Sequence, residues 1–132
     1  MNDLITAVVA IIEHEGRVLV GKKINSNNFL SNAWHIPGGK LKHGETEQQA
    51  LAREMKEETG IEIKIGRFLG ERDVPGSGVK ARWYLCIPLT QDLRAGDDLA
   101  EVKYVPKSEV LKICDPKLIA FWPPEVVEYF KD

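Results

Sequence analysis

The chain alternates between apolar runs and short polar breaks. Leu4–Ile12 (LITAVVAII) is an unbroken apolar, β-branched run and predicts a strand buried on both faces. His14-Glu15-Gly16 reads as a turn, and Arg17–Gly21 as a second strand returning along the first. Lys22–Asn32 is polar and asparagine-rich, so it is expected to be a loop. Trp34-His35-Ile36 is a short strand ended by Pro37-Gly38-Gly39. The period then changes. Thr46 with Gln49 three residues on matches a capping box. Leu51 and Met55, flanked by Ala50 and Ala52, give an apolar stripe, and Gly60 sits where a left-handed residue ends a helix. The spacing predicts a helix over Thr46–Thr59. Ile61–Ile65 alternates strictly, as a half-buried strand does, with Phe68–Asp73 extending that sheet. Val74–Val79 is a turn, Ala81–Leu89 a strand, Ala95–Asp98 a loop and Ala100–Val105 a short strand. Lys107–Ile113 and Pro123–Phe130 are expected to be helices, the second with proline at its start. In Ala81–Leu89 only one of Trp83 and Tyr84 should face the core. The pattern as a whole predicts an α/β fold, a mixed sheet covered by helices.

Length and charge narrow the function. The 132 residues suit one domain spanning 1–132. A balance of 18 Lys+Arg against 20 Asp+Glu excludes binding to a nucleic acid duplex or an anionic membrane by bulk charge. No apolar run nears the ~20 residues that span a bilayer. The opening MNDLITAVVA lacks the basic start of a signal peptide, and Cys86 and Cys114 form no CxxC pair, so a cytoplasmic location is expected. Acids are concentrated, however. Glu45–Glu62 holds six of the 20, against Arg53 and Lys56.

In the helix, Glu54 stands at i, i+3 from Glu57 and at i, i+4 from Glu58, so all three should project from one side of its last turns. As pure structure this is unfavourable. Like charges at these spacings repel, and the C-terminal end of a helix favours cations. A divalent ion reverses both penalties. Carboxylate oxygens suit Mg²⁺ or Mn²⁺, and with no Cys and at most one His close in sequence the residues argue against zinc. Taken alone, a Glu-Glu pair is more often a solvated helix face. The glycines of Pro37-Gly38-Gly39, which let backbone approach an ion or phosphate, favour the metal.

These residues resemble the Nudix hydrolase family. Its box runs Gly, five residues, Glu, seven residues, Arg-Glu, an aliphatic, any residue, Glu-Glu, any residue, Gly, an aliphatic. Here it is Gly39, Glu45, Arg53-Glu54, Met55, Glu57-Glu58, Gly60 and Ile61, complete over 23 residues, with Met55 a mild variant. The preceding Trp34–Gly39 (WHIPGG) is also similar to the family. The resemblance implies an α/β/α sandwich with a mixed sheet. It implies hydrolysis of a nucleoside diphosphate linked to another moiety, with Mg²⁺ or Mn²⁺ held by Glu54, Glu57, Glu58 and the Gly39 carbonyl. Glu54 matches the position that is the base in MutT-like members. Where the base lies outside the box, Glu101, Asp98 or Asp97 would serve. Arg53 and Glu45 are implied to pair and orient the catalytic glutamate, a role whose loss costs roughly 10–100-fold.

The substrate is less legible. Lys22, Lys23, Lys40, Lys42 and Arg72 are candidates for phosphates, Gly38 for close backbone approach, and Phe29, Trp34 and Trp83 for stacking a base. Trp34 has the better case over Trp83, with only two residues between it and the Pro-Gly-Gly segment. Nucleoside triphosphates, cleaved to monophosphate and pyrophosphate, are favoured. The segment Ala95–Asp98 resembles members acting on ADP-ribose or nucleotide sugars, which makes Asp98 a substrate-side candidate. A non-catalytic nucleotide sensor is the alternative, although sensors usually have a damaged box. His14, His35 and His43 read as scattered. Phe121-Trp122-Pro123-Pro124 either forms a homodimer contact or closes the core.

Overall fold

The computed structural model describes residues 5–25 and 31–131. The strands are β1 (Ile5–His14), β2 (Arg17–Lys23), β3 (Trp34–His35), β4 (Gly38–Lys40), β5 (Ile63–Val74), β6 (Val79–Pro88) and β7 (Leu99–Pro106). The helices are α1 (Glu47–Thr59), α2 (Val110–Ile113) after a 3-10 turn, α3 (Pro116–Ile119) and α4 (Pro124–Lys131).

The sheet runs β3-β2-β1-β6-β5, with β4 also on β1 and β7 also on β2. β1 lies parallel to β6 over Ile5–Ile12 and antiparallel to the rest of its partners, so the sheet is mixed as expected. On its other edge β1 changes partner: Ala7–Val9 face β4, while Glu13 and His14 face β2. The chain from β3 to β4 crosses this fork, with Ala10 N donating to Pro37 O at 3.1 Å. Pro37-Gly38-Gly39 is therefore no simple turn. Gly38 and Gly39 enter a strand, because a Cβ on Gly38 would collide with the Val8 carbonyl and only bare backbone fits there.

Both faces of β1 are buried, as its apolar run predicts. Val8, Ala10 and Ile12 pack with Leu19, Leu51 and Met55 under α1. Ile11 packs with Val18, Val20, Trp83, Trp122, Val126 and Phe130 under α4. This double cover corrects the expectation for β6. Trp83 and Tyr84 are both buried, one in each layer, because the strand is central and covered on both sides. Trp122 stacks against Trp83 with ring centroids 5.1 Å apart and so closes the core, while Phe121 stays partly exposed. The sequence reading also missed α3. Its signal is Asp115 accepting from Lys117 N, followed by Pro116 at the first helical position. Ile61–Ile65 and Phe68–Asp73 belong to a single strand, β5, whose register shifts on either side of Phe68.

α1 forms as its capping box dictates: Thr46 Oγ1 accepts from Gln49 N and Gln49 Oε1 accepts from Thr46 N. Gly60 ends it with φ 75°. No described helix is long and apolar enough to cross a membrane.

Candidate active site

The C-terminal half of α1, strand β4 and the loop before β7 meet at one place. The loop is pinned to the helix end: Arg94 N donates to Thr59 O and Gly96 N to Glu58 O, at 2.9 and 3.0 Å. These bonds occupy helix-end carbonyls that would otherwise be bare, which softens the electrostatic objection to acids there. Any side chain at Gly96 would overlap the Glu57 carbonyl. The docked loop holds Asp97, at φ 51°, against the helix. One carboxylate oxygen each from Glu54, Glu57 and Asp97 lies within 4.8 Å of the others.

Arg53 organises this group with all five of its N–H donors. Nε and Nη2 grip the Glu45 carboxylate at 2.6 and 2.9 Å. Nη1 donates to Glu54 Oε1 at 2.9 Å and to Glu57 Oε2 at 3.2 Å, and Nη2 also reaches the Lys40 carbonyl at 3.1 Å. The guanidinium beside Glu45, helped by Lys42 N–H, holds that carboxyl down at about 2. Glu54 is shifted upward instead. Burial is the main cause, opposed by Arg53 and reinforced by Glu57 and Asp97. Gly39 lies directly against the Glu54 carboxyl, where a Cβ would overlap it.

Glu58 departs from the expected picture. It does not join Glu54 and Glu57 on the open side of the helix but is 3% exposed, with no hydrogen-bond partner for Oε1 among the described residues. Burial, then the charge of Glu54, pushes its carboxyl up to about 8, with Lys23 opposing. The sign of the consequence is definite. A carboxyl with a raised folded-state value stabilises the fold fully below the unfolded value of about 4.3 and loses that contribution as pH rises through about 8. The windows for Glu45 and Asp98, both shifted down, lie below this range. In chelator, the melting temperature is expected to fall between pH 6.5 and 8, above the range in which the depressed His35 acts in the opposite sense, and Glu58→Gln to flatten that slope. Thermal scans at fixed ionic strength check it.

The residues fit a hard divalent cation. The donors are all oxygens, three carboxylates already converge, and the buried Glu58 Oε1 has no hydrogen-bond partner among the described residues.

The other sequence candidates are dispersed. Lys23 Nζ pairs with Asp98 Oδ2 at 2.8 Å beside the acids. Lys40 is exposed on β4. Glu101 is exposed on β7 opposite Lys22 and lies outside the carboxylate group. Arg72 donates to the carbonyls of Ala120 and Trp122. Trp34 lies under the Lys103 ammonium, 4.6 Å from the ring centroid. Phe29 lies outside the described residues. One group read only as scattered, His35, is partly buried and lines a cavity with Trp83, and nothing in its local pattern marks it.

A mixed sheet between helices carries an Arg-organised carboxylate group at a helix C-terminus. The family model described as the NUDIX domain matches residues 2–130. The chain belongs to the NUDIX hydrolase family. It is 33% identical over 112 residues to the ADP-ribose pyrophosphatase of Methanocaldococcus jannaschii, covering 81% of this chain and 64% of that one. It is 36% identical over 75 residues to the CTP pyrophosphohydrolase of Escherichia coli, covering 55% of each. The chain thus spans less than two thirds of either relative. The crystal structure of a NUDIX hydrolase from Nitrosomonas europaea superposes with a TM-score of 0.78 at 23% identity, covering 89% of this chain and 66% of that one, a likeness of fold.

Proposed function

We propose that the protein is a metal-dependent pyrophosphohydrolase whose substrate is a nucleoside diphosphate linked to another group, with nucleoside triphosphates cleaved to monophosphate and pyrophosphate as the favoured class. The observation that carries this is the convergence of Glu54, Glu57 and Asp97 around a single Arg53 clamp. The names of the two relatives, an ADP-ribose pyrophosphatase and a CTP pyrophosphohydrolase, both fit a nucleoside carried on a pyrophosphate.

Glu54, Glu57, Glu58, Asp97 and the Gly39 carbonyl would hold Mg²⁺, or Mn²⁺ in its place. When bound, the ion supplies charge neutralisation of the diphosphate oxygens and a more acidic water. The chain's own groups do the rest. Arg53 occupies Glu54 Oε1, so Oε2 is the oxygen left to take a proton from the attacking water. Water oxygen bonds to one phosphorus of the anhydride, the bridging P–O bond breaks, and its electron pair leaves with the other half, nucleotide or pyrophosphate. Asp98, tied to Lys23, and Glu101, outside the group, are less suited to the proton transfer.

A panel of nucleoside triphosphates, ADP-ribose and nucleotide sugars, incubated with Mg²⁺ and scored for products, tests this. Pyrophosphate release from a triphosphate, abolished by chelator and by Glu57→Gln, is expected. Tight nucleotide binding without turnover of any compound would make the protein a sensor instead.

A further inference from the structure

The loop that brings Asp97 to α1 is fixed at both ends. On the helix side, Arg94 and Gly96 tie it to the carbonyls of Thr59 and Glu58. On the sheet side, it is tied to the last residue of β2 and the residue after it. Ile24 N donates to Asp98 O at 2.9 Å, and Lys23 Nζ donates to Asp98 Oδ2 at 2.8 Å. Leu99 is buried against Gly21, where a Cβ would overlap its Cδ1. The pairing of β2 with β7 shifts register at this point. Lys22 faces Glu101 and Lys23 faces Leu99, so Ala100 is an extra residue on β7. Such a bulge bends its strand and re-aims the side chains beside it. Between the two anchorages Asp97 has φ 51°. Non-glycine residues adopt this left-handed conformation at a cost, and keep it only where their surroundings enforce it.

We propose that Lys23 is a positioning residue for the carboxylate group: by holding Asp98 it fixes the neighbouring Asp97 where its carboxylate meets those of Glu54 and Glu57. This rests on the divalent-cation reading above. Three roles are open to a lysine at this place, and they make different demands on metal affinity. The Lys23 side chain is 22% exposed, and Asp98 is its ion-pair partner among the described residues. Its charge acts on Glu58, so the ammonium stands close to where a cation would sit. As a bare charge it would repel that cation, and its loss would tighten metal binding. As a contact for substrate phosphate it would leave metal binding without nucleotide unchanged. As the anchor of Asp97 it acts in the opposite sense to a bare charge. Without its hold the strained residue relaxes, one ligand leaves the group and the ion is held less tightly. Contacts that orient a metal ligand are worth roughly 10–100-fold in affinity. A single charge pair near the surface is screened and worth roughly fivefold or less, so the loss of position outweighs the relief of repulsion.

Mn²⁺ binding to the full chain would be measured by titration calorimetry at fixed pH and ionic strength, with no nucleotide present. Lys23→Met keeps the apolar stem and removes the ammonium, and is expected to weaken Mn²⁺ binding by roughly tenfold or more. Lys23→Arg can still pair with Asp98 and is expected to keep the wild-type affinity. Asp97→Asn tolerates the left-handed backbone but removes the charged ligand. In that background Lys23→Met should cost nothing further, because its effect passes through Asp97. Melting curves verify folding, and if Lys23→Met does not fold, Lys23→Gln takes its place. A folded Lys23→Met protein that binds Mn²⁺ as tightly as wild type, or more tightly, overturns the proposal and leaves the metal site standing. So does a loss of equal size from Lys23→Arg, or an undiminished loss in the Asp97→Asn background. A wild type that binds no Mn²⁺ would remove the metal reading itself, and the role of Lys23 with it.

Discussion

Replacing Glu54 with Gln is expected to lower kcat by roughly 10²–10⁴-fold, the usual contribution of a positioned general base. The amide keeps the shape of the carboxylate and an oxygen for Arg53 Nη1, which reaches Oε1 at 2.9 Å. It can neither take a proton nor offer a negative ligand atom to a cation. Stability should hold or rise, because the substitution removes one of several like charges facing Glu57 and Asp97. Product release under saturating nucleotide and Mg²⁺, set beside a melting curve, separates the two effects. A Glu54→Gln protein turning over at the wild-type rate would move the base to another carboxylate, Asp97 first, since it is already in the group.

Gly39→Ala should cost about 10²-fold in kcat through geometry alone. β4 is held against β1, with Gly39 opposite Val8, so its backbone has little room to retreat. The new methyl would overlap the Glu54 carboxyl, and that flexible side-chain end must move. Misplacing a reacting group by about 1 Å costs on the order of 10²-fold in rate. The fold should survive, as a side chain yields rather than a strand. The neighbouring Gly38→Ala makes the contrast, since its methyl would meet the Val8 carbonyl and strike the β1–β4 pairing itself. Melting temperatures and kcat for both variants are expected to diverge in opposite senses: Gly39→Ala stable and slow, Gly38→Ala unstable. Full activity in a folded Gly39→Ala protein would mean that the Glu54 position is not critical.

Local chemistry made most of this molecule readable in advance. The capping box at Thr46, the left-handed Gly60 and the apolar faces of β1 are set by residues a few positions apart, and each formed as its spacing dictates. The clamp of Arg53 on Glu45 was legible only through the family resemblance, since eight residues separate the pair and the cap lies between them. Three features were beyond reach of any local pattern. Glu58 and Glu57 are adjacent in sequence, yet the docked loop and the strands bury one and leave the other open. Asp97 joins Glu54 because Arg94 and Gly96 tie their loop to the helix end, some forty residues away along the chain. His35 and Trp83 lose their water only when β3, β6 and the α4 layer close around them. Sequence spacing thus determined which carboxylates and caps were available. Solvent exclusion, a property of elements distant in the chain coming together, decided which carboxylate is pushed toward neutrality and which polar atoms are shut away from water.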